Sequence, residues 1–206
     1  MMPWEHAIVG YIAYSLFTHI VYRSAPTGAE TVVVLFASVL PDLIDKPLAW
    51  EYGVFSSGYA LGHSIFFAVP LSTAVFLLTL VVGRPRFGWA FGIGYLLHLP
   101  ADVIPIYVQE GRMPLDRILW PMSSIDGRSE VGFTEAFAAT NDQYLQSLAE
   151  LNQSPYMQAV ALLMLGGFLL WVYDGMPIVR EGYLALRQAV VWSTRQLRKY
   201  WRGDST

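Results

Sequence analysis

The chain has 206 residues, of which 54% are apolar and only 14% charged, and its formal net charge is −3. Such a balance excludes a water-soluble domain covered by its own polar surface, so lipid must be the solvent for much of the chain. The absence of cysteine excludes disulfides, iron–sulfur clusters and Cys-ligated zinc, leaving His and carboxylates as metal ligands.

The N-terminal run MMPWEHAIVGYIAYSLF has no basic region before its apolar stretch and reads as a retained first helix, His6–Tyr22, rather than a cleaved signal. A second helix is expected at Glu30–Ile44, short or half-inserted because only about a dozen apolar residues precede PDLID. Uncharged runs at Gly62–Val82 and Tyr156–Tyr173 are each long enough to span, and Phe87–Tyr107 follows the GRPR turn. The expected fold is therefore all-α: a polytopic transmembrane bundle of about five membrane-embedded helices over residues 1–176, with an outer segment at 108–155. Residues 177–206 form a basic amphipathic cytoplasmic tail. Within it Tyr183, Leu186, Val190, Leu197 and Trp201 recur at helical spacing among Arg and Lys, as in a helix lying on an anionic leaflet or packed on a partner subunit.

Orientation follows from the cations. Five crossings with the tail inside also place Arg23, Arg84 and Arg86 inside, in keeping with the retention of Lys and Arg on the cytoplasmic side. The N-terminus, residues 45–61 and the segment 108–155 are then outside, in the plasma or inner membrane of a cell. Eleven Arg against two Lys hint at a high-GC or salt-adapted prokaryote.

There are four histidines. His6 opens the first helix and His63 the third, within GHS. His98 and Asp102, four apart in HLPAD, share a face of the fourth helix, while Asp42 and Asp45, three apart in PDLID, share a face of the second. The topology drawn from Arg and Lys alone puts His6, Asp45 and His63 at outer helix ends. At 1.5 Å per residue, His98 and Asp102 lie about 17 and 22 Å along the fourth span, so the group forms a pocket sunk below the outer surface. Carboxylates at that depth usually face a bundle interior and a partner.

Imidazole and carboxylate ligands from several helices suit zinc first, with manganese or iron as alternatives, and can leave a position open for water. Each residue also has a plainer role: His6 as a helix-start group, Asp42 as a turn or cap, and Asp45 as the ion-pair partner of Lys46. His63 with Ser64 suits a helix cap, and His98 beside Pro100 suits a carbonyl freed by the proline. Convergence of these positions at one face favours the shared metal site. His19, on another turn and in the inner half of its helix, is expected to be structural. Ser64 lacks a base and a nucleophile elbow, and no HExxH is present, which disfavours serine hydrolases and zincin proteases. Nothing in the chain suggests nucleic-acid binding.

The ordered set of an early His, PDLID, GHS, GYLLHLPAD and RILWPMSS, over residues 1 to about 125, resembles the membrane-bound metal-dependent hydrolases of the YbcI/YdjM type. The resemblance implies that His6, Asp42, Asp45, His63, His98 and Asp102 are metal ligands or acid–base groups, with Trp120 and Pro121 shaping the pocket mouth. The family's His and Arg after the aspartates are replaced here by Lys46, Pro47 and a longer segment before Gly62. The expected function is hydrolysis of a lipid or amphiphilic ester or phosphoester by metal-activated water, with Asp45 or Asp102 as general base or as the group orienting a ligand histidine. The rival readings are a metal-ion or proton transporter, which calls for polar groups continuing to the inner face, and a non-catalytic membrane scaffold with a recruiting tail.

Overall fold

The computed structural model describes residues 2–125, 132–149 and 154–201, without the side chains of 195–201. Among these residues there are seven α-helices and no strand: α1 (Pro3–Val21), α2 (Gly28–Trp50), α3 (Ile65–Val81), α4 (Pro85–Glu110), α5 (Phe133–Ala149), α6 (Pro155–Tyr173) and α7 (Val179–Trp201).

Local chemistry sets most of the ends. Thr27 and Glu30 form a reciprocal capping box at the start of α2, Ser64 caps α3 through the Phe66 amide, and Ser154 caps α6 through the Met157 amide. Pro3, Pro85 and Pro155 each stand at the first helical position, where the missing N–H costs no hydrogen bond. Gly111, with φ of 68°, closes α4 in the left-handed conformation.

Two helices, α4 and α6, are long and apolar enough to cross a membrane, and α3 is a shorter apolar helix. Leu162, Leu165, Phe168 and Leu169 of α6 and Leu77, Leu78 and Leu80 of α3 are more than half exposed, a surface suited to lipid. Helices α1 and α2 carry many of the buried polar groups: Glu5, His6, Ser15 and Thr18 on α1, and Glu30, Ser38, Asp42 and Asp45 on α2.

The bundle is organised around α4, which packs against α1, α2 and α3, while α1 also contacts α2 and α6. One apolar cluster joins Ala37, Ala68, Phe91, Tyr95 and Leu99, and a second joins Tyr11, Tyr14, Val34 and Ala90. Small residues let α1, α2 and α4 approach closely at one level: a Cβ on Gly10 would lie 2.0 Å from Ser38 Oγ, and one on Gly94 would lie 2.6 Å from the Val34 carbonyl oxygen.

Helix α2 runs six residues beyond the expected end at Ile44, through Pro41 and Pro47, and the third helix begins at Ile65 rather than Gly62. Proline normally ends a helix because it removes an N–H and crowds the preceding turn. Here α2 accommodates both prolines in its interior. The segment expected to be an outer connection also contains α5, which packs on α2.

At the opposite end of the bundle, Glu30 pairs with Arg86 Nε at 2.8 Å, and the Glu181 carboxylate accepts from the Gly28 amide at 2.6 Å, tying the start of α7 to the start of α2. From Tyr183 to Thr194, α7 is solvent-exposed.

The helix crossing gives a direct expectation. Gly94→Ala should destabilise the protein by about 1–3 kcal/mol, because the neighbour it meets is backbone and cannot rotate away. Gly92→Ala, on the same helix with nothing within 4 Å of the added carbon, should leave thermal unfolding in detergent unchanged.

Candidate metal centre

Four buried side chains from three parts of the chain meet between α2 and α4: Asp42, His63, His98 and Asp102 each offer one ligand-type atom, and these atoms all lie within 4.8 Å of one another. His63 Nε2 is 3.0 Å from His98 Nε2, 3.4 Å from Asp42 Oδ1 and 3.4 Å from Asp102 Oδ2. His98 Nε2 is also 3.4 Å from Asp102 Oδ2.

The outer nitrogens decide what the inner ones present. His63 Nδ1 lies 2.8 Å from the Asp45 carboxylate, and His98 Nδ1 lies 2.6 Å from the Ser38 carbonyl oxygen. Both partners are acceptors, so both Nδ1 atoms donate, and each neutral ring turns an Nε2 lone pair toward the centre. The two Nε2 atoms face each other at 3.0 Å beside two carboxylates, an arrangement stabilised by a cation, or by a shared proton, standing among them.

Charge balance makes the same demand. Asp42, Asp45 and Asp102 are buried with one ammonium, Lys46, whose Nζ is 2.7 Å from Asp42 Oδ1. With neutral imidazoles the aspartates carry an excess of buried negative charge, of the sign that a divalent ion compensates. Burying them uncompensated would be strongly unfavourable. The cluster is thus a site whose donor set, tautomers and charge fit a divalent metal.

Asp45 has a different position from the other two aspartates. One of its oxygens accepts from the amides of Ala60 and His63 and from the His63 ring, and the other accepts from the Gly62 amide at 2.7 Å. It folds the 60–63 segment around itself and sets the tautomer of His63, the arrangement by which a carboxylate behind a ligand imidazole fixes the ring and raises its basicity. The segment is held from the other side by Tyr95, whose hydroxyl donates to the Gly62 carbonyl at 2.7 Å, and by close packing of Gly62 on Pro41.

His6 lies beside the four. Its ring stacks on His98 with centroids 3.8 Å apart, and its Nε2 is 3.2 Å from Asp102 Oδ1. Asp102 therefore reaches His6 with one oxygen and the two other histidines with the other.

The plainer roles divide. Ser64 does cap α3, Lys46 pairs with Asp42 rather than Asp45, and His98 binds a carbonyl, but on α2 rather than on its own helix. Trp120 contributes its carbonyl, which accepts from Ser64 Oγ at 2.5 Å, while its ring meets the edge of Phe55. His19 is apart from the cluster: its Nε2 lies 2.7 Å from Asp174 Oδ1, and Tyr11 and Ser15 donate to the other Asp174 oxygen, which locks α1 to the end of α6.

A family model described as YdjM inner membrane protein matches residues 1–178. The chain belongs to the YdjM inner membrane protein family. No curated protein and no solved structure matched the chain. Membership agrees with the ordered motifs and with a membrane location for this YdjM family protein, and all six motif residues lie within the matched region.

Several site residues carry no metal-ligand motif. Glu5, 1% exposed, precedes His6, and Tyr59 lays its ring edge against His63 with centroids 4.8 Å apart. Arg117 stacks over Tyr59 and donates to its hydroxyl oxygen at 2.9 Å. Burial pushes the Tyr59 phenol far above its ordinary range, so it stays protonated. Tyr95 was legible only as an aromatic three residues before His98.

If Asp45 acts by orienting His63, Asp45→Asn should weaken divalent-ion binding by about 10- to 100-fold without abolishing it. Competition of the purified protein against a chromophoric chelator would measure this. An unchanged affinity would remove Asp45 from the site.

Proposed function

We propose that this protein is a membrane-embedded metal-dependent hydrolase acting on a lipid or other amphiphilic ester or phosphoester. The observation that carries the reading is the convergence of two imidazole Nε2 atoms and two carboxylates in one buried site with an excess of negative charge. Asp42, His63, His98 and Asp102 would hold the ion, with zinc the first choice for that donor set. A bound divalent ion would polarise the ester oxygen and make water acidic enough to attack near neutral pH.

The chain's own groups do the rest. Asp45 holds the His63 proton on Nδ1, and the Ser38 carbonyl holds that of His98. Asp102 Oδ1, which faces His6 Nε2 at 3.2 Å, is placed to take a proton from water activated there, with the His6 ring holding that carboxylate in position. The proposed topology has five embedded helices, α1 to α4 and α6, with the centre toward the outer face and the tail in the cytoplasm. The basic, exposed α7 would rest on the anionic inner leaflet.

Burial on the other side of the centre speaks against an ion pathway. Polar groups do continue there, but Ser38 Oγ donates to the Val34 carbonyl, Tyr14 to the Arg86 carbonyl, and Glu30 pairs with Arg86. The Tyr11, Tyr14, Val34 and Ala90 cluster fills the space among them.

The test is elemental analysis of protein purified in mild detergent, wild type against His63→Ala, His98→Ala, Asp102→Ala and His19→Ala. Expected are one to two equivalents of zinc, manganese or iron in wild type and in His19→Ala, lost in the other three. Wild type that takes up no metal even after reloading would sink the hydrolase reading.

A further inference from the structure

Two adjoining cavities border the centre, and they differ in chemistry. The larger, about 560 Å³, lies among the outer ends of α1, α2 and α4, the helix α5 and the start of α6. The smaller, about 110 Å³, is a slot between α1, α2 and α5. They share Met2, Lys46, Trp50 and Thr140 on their walls, so one molecule can occupy both. Each touches the cluster: Asp42 lines the slot, and Tyr59, against the His63 ring, lines the larger chamber.

The chamber wall is made of uncharged hydrogen-bonding groups and aromatic rings. Gln109 comes from α4, Thr140, Gln143 and Ser147 from α5, and Ser154 from the cap of α6, with Trp50, Tyr144 and Tyr156 beside them. Among its described lining residues the one cation is Lys46, already 2.7 Å from Asp42, and it is opposed by Glu5. Arg117, the nearest described cation behind Tyr59, is stacked on that ring and donates to its hydroxyl. Among the described lining residues a multiply anionic head group finds no cation beyond Lys46, whereas hydroxyls find amide and hydroxyl partners and the C–H faces of a ring find aromatic surfaces.

The slot is apolar. Val39 and Leu43 of α2, Pro3 of α1 and Phe133 and Phe137 of α5 form it. Leu43 is 53% exposed and Phe137 39%, so the slot opens sideways at the bundle surface. Asp42 is among its lining residues.

We infer that the two cavities together bind an amphiphile with an uncharged, hydroxyl-rich head group, such as a sugar or polyol, whose apolar chain enters sideways through the slot between α1, α2 and α5. What happens to that ligand rests on the hydrolase reading above; its binding does not. The junction of head and chain lies where the shared wall meets Asp42, which places the ester-bearing part of such a molecule against the cluster and leaves the head group to be chosen by hydrogen bonding.

The test measures binding and not turnover. The full chain in detergent is incubated with monoglucosyl diacylglycerol or with phosphatidic acid of the same acyl chains, and adducts are counted by native mass spectrometry. The glucosyl lipid should bind at least about tenfold more tightly. Gln143→Leu, at an exposed position of α5 that folding does not depend on, should lower that binding by about tenfold, the effect of a lost hydrogen bond. Val39→Phe, which fills the slot, should weaken both lipids alike. Equal or tighter binding of phosphatidic acid by wild type, or glucosyl-lipid binding unaltered in both variants, would overturn the inference. Glucosyl-lipid binding by a protein that holds no metal would keep it while ending the hydrolase reading.

Discussion

The whole arrangement depends on negative charge buried where water is scarce. Three aspartates are buried in the bundle beside one lysine. A bundle that accepts this cost must recover it locally, and the means differ for each acid. Asp45 is neutralised by four hydrogen-bond donors, three of them backbone amides. Asp42 has Lys46. Asp102 is left among three imidazoles, two of which are already committed to donating elsewhere. The remaining demand for positive charge falls on the centre of the group.

That demand would be met poorly in a loose bundle. The glycine and serine crossing of α1, α2 and α4 lies about one helical turn from the cluster, with Gly10 four residues from His6 and Gly94 four from His98. Close approach there is what allows the His6 and His98 rings to stack and the His98 ring to reach a carbonyl of α2. Ser38 contributes twice, its side chain filling the crossing and its carbonyl setting a tautomer. Packing and site chemistry are thus parts of one interface.

The residues of the centre were legible because expensive groups in apolar helices are few and their spacings are helical. His98 with Asp102, and His63 opening the third helix, needed only that reasoning. The separate position of Asp45 was not legible, since Asp42 and Asp45 share a helix face and only the path of the 60–63 segment tells them apart. The end of α2 was read too early because few apolar residues follow Ile44 before charge and Pro47 intervene, whereas the helix continues through Pro47 to Trp50. Asp174 gave no signal either, for its partners Tyr11, Ser15 and His19 lie on the first helix, more than 150 residues before it. Helix α5 was passed over because its surface is mostly polar and its segment had been assigned outside the membrane.

The 60–63 segment grips Asp45 mostly through its main chain. Every residue type but proline carries the N–H that this grip requires. The grip on Asp45 is therefore indifferent to side-chain identity at Ala60 as far as hydrogen bonding goes, and packing alone, as of Tyr59 on the His63 ring, restricts that stretch. At Gly62 a side chain would strike the Pro41 carbonyl oxygen at 2.8 Å. A site written into amides in this way would be hard to recognise from side-chain motifs in distant descendants, yet simple to keep.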